Sequence, residues 1–115
     1  MKYYTSKDQT AKLIELGFEK PNSIEEFLEP ESDWSIGGIK QRKAYSIGEL
    51  LSFLPKEIKV EKHNEPAYIQ MLYDEENVWE VGYTFYGNGM YIKRETEFID
   101  CLFQMCIKLK EKGVI

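Results

Sequence analysis

Ala67-Tyr68-Ile69-Gln70-Met71-Leu72-Tyr73-Asp74-Glu75-Glu76-Asn77-Val78-Trp79-Glu80-Val81-Gly82-Tyr83-Thr84-Phe85-Tyr86 is where the chain commits to a sheet. In Ala67–Tyr73 the residues Ala67, Ile69, Met71 and Tyr73 share one side. In Val78–Tyr86 the residues Trp79, Val81, Tyr83 and Phe85 do the same. Strand side chains alternate in direction, so this period of two marks strands with one buried face. Asp74-Glu75-Glu76-Asn77 reads as the hairpin loop between them.

The same period continues on both flanks. Upstream, Ile58 and Val60 alternate with charged residues across Glu57–Lys62, and His63-Asn64-Glu65-Pro66 supplies a turn. Downstream, Gly87-Asn88-Gly89 offers the positive-φ positions of a tight hairpin, and Met90–Arg94 returns. Four consecutive runs joined by short turns predict a four-stranded antiparallel meander. The period then lengthens. From Glu97 to Lys112, apolar residues at 98, 99, 102, 105, 106 and 109 form a helical face, with acids early and lysines late as the macrodipole favours. Including Cys101 and Phe103, the apolar arc spans roughly 200°, wide enough to lie on the sheet and touch another helix.

Upstream of the sheet the signals are local. Thr5, with Asp8 three residues on, is expected to cap a first helix through Leu13 and Leu16, stopped by Gly17. Ser23 and Glu26 suggest a short turn of helix through Leu28, ended by Pro30. Residues 31–45 read as an ordered loop with a short strand. Ser46-x-x-Glu49 is a capping box opening a helix over Ile47–Leu54, and Pro55 stops it. The fold class is therefore α+β, with the C-terminal helix on one face of the meander and N-terminal helices completing the core of one domain, residues 1–115.

A meander has two faces. Tyr68 and Leu72, with Tyr86 and Tyr91 near the second hairpin, are expected on the side opposite the core. Left uncovered, they form an apolar-aromatic patch suited to binding a partner protein. The competing expectation is that Trp34, Ile36 and Ile39 cover them.

Composition narrows the function classes. The 115 residues carry 20 acidic and 15 basic side chains, a formal charge of −5. Nucleic acid repels such a chain unless cations are concentrated, and Lys40, Arg42 and Lys43 are too few for a binding stripe. They lie downstream of an acidic run of Glu25, Glu26, Glu29, Glu31 and Asp33, and the expectation is that the two face each other across a loop. A weaker alternative is single-stranded nucleic-acid binding through Tyr83, Phe85, Lys93 and Arg94, because Gly82-Tyr83-Thr84-Phe85 is faintly similar to the aromatic strand of RNA-recognition domains. Val81 and Thr84 depart from that pattern.

No residue set suggests catalysis, a cofactor or a metal centre. Cys101 and Cys106 stand five apart on a helical face, a spacing that suits neither a disulfide nor a metal pair, and read as buried free thiols in a reducing compartment. His63, the only histidine, falls in a turn. The N-terminal Met1-Lys2-Tyr3-Tyr4-Thr5-Ser6-Lys7-Asp8 lacks the apolar core of a signal peptide, and no run approaches the roughly 18 residues of a membrane span. The expected setting is the cytoplasm, without membrane contact and with self-association left open.

Three segments carry a resemblance: Tyr4-Thr5-Ser6-Lys7-Asp8-Gln9 through Leu13, Leu16 and Gly17; Tyr45-Ser46-Ile47-Gly48-Glu49-Leu50-Leu51-Ser52-Phe53-Leu54-Pro55; and the closing Lys108-Leu109-Lys110-Glu111-Lys112-Gly113-Val114-Ile115. Together they resemble a group of small proteins from phages and integrated mobile elements of anaerobic gut bacteria. The resemblance implies a bacterial cytoplasm and a mobile-element setting, and it brings no site residues. The resulting expectation is a non-enzymatic accessory protein that binds another protein.

Overall fold

The first two helices form where a side-chain cap meets apolar positions, the C-terminal helix on the strength of its apolar stripe, and strands where alternation meets a partner. A computed structural model describes residues 1–28, 39–60, 66–85 and 88–115. The elements are α1 (Lys7–Glu15), β1 (Ile24–Leu28), β2 (Ile39–Lys43), α2 (Ile47–Phe53), β3 (Glu57–Ile58), β4 (Ala67–Tyr73), β5 (Trp79–Phe85), β6 (Asn88–Glu95) and α3 (Phe98–Glu111). The fold is α+β, with two separate antiparallel sheets: β1–β2, and β3–β4–β5–β6 in chain order.

α3 packs on β5, β6 and α2. Its residues Phe98, Ile99, Cys101, Leu102, Met105, Cys106 and Leu109 are buried, as a broad apolar arc requires. Beneath them lie Val81 and Tyr83 of β5, and Leu50, Leu54 and Leu13 close the sides. Trp79 is held between two rings, with centroids 4.7 Å from Tyr73 and 4.7 Å from Phe98. Burying a large apolar side chain in such a cluster contributes about 1.5–3 kcal/mol.

Both capping boxes are complete, one of them a residue later than expected. Ser6, not Thr5, caps α1: its hydroxyl accepts from Gln9 N–H at 3.1 Å, and the Gln9 side chain accepts from Ser6 N–H at 2.9 Å. Thr5 is buried instead, its hydroxyl 2.7 Å from that of Thr10 and accepting from Tyr45 N–H at 3.0 Å. Ser46 and Glu49 cap α2 as expected. Gly17 takes the left-handed conformation (φ 94°) after α1, where a side chain would be strained.

Residues 24–28 are a strand, not a turn of helix. Ser23 and Glu26 imitate a capping box, but the Ser23 carbonyl accepts from Ala44 N–H at 3.1 Å and the following five residues pair with β2. Glu25 lies opposite Arg42, whose guanidinium also donates to the Thr5 carbonyl at 2.6 Å. Of the acidic run, Glu25 and Glu26 thus do lie against the basic strand, while Glu29, Glu31 and Asp33 lie outside the described residues. Two expectations about strand limits also change: among the described residues β3 pairs only over Glu57 and Ile58, and Asn88 and Gly89 belong to β6, with Asn88 opposite Phe85. The expectations placed on Trp34, Ile36, Gly37, Gly38, His63, Tyr86 and Gly87 lie outside the described residues.

Candidate functional site

Away from α3 the four-stranded sheet has a second face that no other element covers among the described residues. Tyr68 is 55% exposed and Leu72 46%, joined by Ile92 at 45%. Ile39, expected to help cover them, is itself 67% exposed on β2. Leu72 and Ile92 line a hollow of about 130 Å³, floored by Gly82 and Gly89 and edged by Gln70, Glu80 and Thr84.

The hollow depends on a β-bulge. Val81 pairs with Lys93 and Tyr83 with Met90, so Gly82 alone faces two residues, Tyr91 and Ile92. Tyr91 occupies the left-handed region (φ 54°), which costs a non-glycine residue about 1–2 kcal/mol. The bulge reverses the side on which residues fall. Tyr91, expected on the outer face by simple alternation, packs against the core. Ile92 takes its place outside. A Cβ on Gly82 would sit 3.1 Å from Ile92 Cγ1, and one on Gly89 would collide with Ile92 Cδ1, so both glycines are fitted to that side chain. Of the four residues expected on this face, the structure places Tyr68 and Leu72 there and Tyr91 elsewhere. Ile92 was missed because alternation carries no mark of an extra residue, although a glycine at 82 in a strand is the usual hint.

Polar groups surround the patch. Glu80 stands opposite Arg94. Arg94 bonds to Asp74 and lies 3.9 Å from Glu76 across the β4–β5 turn. Hydrogen bonds from Val78 N–H, then Glu76 N–H and the Arg94 guanidinium, hold the Asp74 carboxyl below the usual carboxylate range. An apolar centre with a polar rim is the anatomy of a protein interface.

The residues considered for other chemistry are engaged elsewhere. Tyr83 is fully buried, its hydroxyl donating to the Pro55 carbonyl at 2.7 Å, so it presents no ring on which a base could stack. Burial pushes its hydroxyl up to about 12. Phe85 is half-buried and packs against the core. Cys101 and Cys106 are free and buried, and desolvation pushes their thiols up to about 11 and about 12. Cys101 Sγ points to the Trp79 carbonyl at 3.2 Å, and Cys106 Sγ to that of Leu50 at 3.8 Å. Such thiols stay protonated and are poor nucleophiles. Among the described residues no cluster of three or more His, Cys, Asp or Glu could hold a metal ion, and no helix is long and apolar enough to cross a membrane.

Comparison with family models, with curated proteins and with solved structures finds no match to the chain.

Proposed function

We propose that this protein is a non-enzymatic accessory protein of a phage or mobile element, acting in the bacterial cytoplasm by binding another protein through the outer face of its sheet. The observation that carries the reading is the exposed trio Tyr68, Leu72 and Ile92 on the outer face, two of which, Leu72 and Ile92, line the hollow over Gly82 and Gly89. A bulge that places Tyr91 in a strained conformation in order to set Ile92 outside supports the same reading, since such strain gathers at functional sites. The hollow's size suits one aliphatic or aromatic side chain from a partner, with Gln70, Glu80 and Thr84 at its rim. The mobile-element setting rests on the resemblance in Tyr45–Pro55 and its flanks. No observation favours the nucleic-acid alternative, whose central aromatic Tyr83 is buried.

The test is capture of host proteins by the wild-type chain and by a Leu72→Glu/Ile92→Glu variant. Both substitutions are at exposed positions, so circular dichroism and Tm should change little. The proposal expects a specific partner that the wild type holds and the variant loses. A partner set identical for the two, or none with either, would overturn it.

A further inference from the structure

A second surface, on the edge of the sheet, points to self-assembly. β3 covers β4 only where Glu57 and Ile58 pair with Tyr68 and Ala67. Ile69 N–H donates to the Lys56 carbonyl at 2.9 Å, which shows that odd-numbered residues of β4 turn their backbone groups to this side. Past that bond, Met71 and Tyr73 direct N–H and C=O groups outward with no neighbouring strand among the described residues. Natural edges are blunted by lysine, proline or a bulge. Gln70-Met71-Leu72-Tyr73 has none of these, and its Met71, Leu72 and Tyr73 side chains are all exposed.

The same chain carries a segment suited to close that edge. β1 and β2 form a sheet of their own, separate from the other four strands. Ile24, Phe27 and Ile39 on it are exposed, and a two-stranded hairpin of this kind is marginally stable without a further partner. The molecule measures 64 Å along its longest axis, and its radius of gyration is 16.9 Å, against about 13 Å for a compact chain of this length. Charge matches as well. β4 runs into Asp74-Glu75-Glu76, whereas β2 reads Ile39-Lys40-Gln41-Arg42-Lys43, with Lys40 and Lys43 exposed.

We infer that the open edge of β4 is closed by β2 from a second copy of this chain, the five-residue strand adding to the sheet with its lysines against the acidic β4–β5 turn. Each copy offers one strand and one edge, so a reciprocal pair is a closed dimer. The edge groups of Met71 and Tyr73 are distinct from the outer-face trio, so this assembly stands or falls separately from the proposed partner binding.

The experiment is sedimentation of the full chain over a range of concentrations, with a species of twice 13.6 kDa as the readout. Met71→Pro removes an outward N–H without breaking the β4–β5 ladder, and Met71→Lys blunts the edge should the proline impair folding. Either is expected to weaken dimerisation at least tenfold. Lys40→Glu/Lys43→Glu and Glu75→Lys/Glu76→Lys should each weaken it, whereas mixing these two variants should restore both contacts in a heterodimer, and one chain carrying all four changes should dimerise again. A chain that stays monomeric at every concentration overturns the inference, even if it binds a basic peptide. So does a dimer sensitive to Met71→Pro but indifferent to both charge reversals, which would instead indicate β4 pairing with β4.

Discussion

β5 and β2 are both strands paired in antiparallel register, yet their surroundings differ completely. β5 buries Val81 and Tyr83 under α3, and Tyr83 is tied to the Pro55 carbonyl. In β2 every residue except Arg42 is exposed, and Arg42 is held by Glu25 and the Thr5 carbonyl at the base of the hairpin. Backbone pairing alone yields little net stability, because water competes for the same groups. What distinguishes the two strands is buried apolar area. The comparison teaches that one chain can combine a body held by its core with an arm whose strands, among the described residues, lack a core of their own.

Substitutions should separate the two regions by magnitude. Leu102→Ala, in the fully buried part of α3, is expected to cost about 3 kcal/mol, read as a lower denaturation midpoint with an unchanged slope. A loss below about 1 kcal/mol would mean that α3 does not organise the core.

The junction between body and arm should respond at an intermediate level. The Glu49 carboxylate accepts from Ser46 N–H at 3.2 Å within the cap, and from Asn22 N–H at 2.9 Å and Ser23 N–H at 3.2 Å at the arm's base. Burial by itself would raise its pKa, but the hydrogen bonds from Ser23, Asn22 and Ser46 outweigh it and hold the carboxyl below its ordinary value of 4.5. A carboxyl depressed on folding binds its proton more weakly in the native state. Its contribution is therefore complete above the unfolded value of 4.5 and is lost as pH falls through the lower folded value. Glu49→Gln should cost about 1 kcal/mol at pH 7 and flatten the acid limb of the stability curve. An acid limb unchanged by the substitution would contradict this role.

The smallest effect belongs to the arm. Phe27→Ala should change monomer stability by no more than about 0.5 kcal/mol, because the ring is exposed on β1. A loss of about 2 kcal/mol would place the arm within the cooperative core.

The same division explains what could be read from the sequence. α3, the limits of β4 and the Ser46–Glu49 cap were legible because each depends on residues within a few positions of one another. The β1–β2 pairing was not: Ser23 and Glu26 fit a capping box locally, and the competing strand partner lies at Lys43, 19 residues beyond Ile24. Half of the outer face followed from alternation, through Tyr68 and Leu72. The exchange of Tyr91 for Ile92 did not, since a bulge is decided by how β6 fits over Gly82. Met71 and Tyr73 share the parity of core residues but are exposed, because α3 lies on β5 and β6 and leaves this part of β4 uncovered.

Hydrogen exchange of the wild-type chain at low concentration tests the contrast most directly. Amides of β5 and α3 should exchange only through global unfolding, while those of Ile24–Leu28 and Ile39–Lys43 exchange orders of magnitude faster. Equal protection in the arm and in β5 would show that the two regions unfold as one unit, contradicting the account.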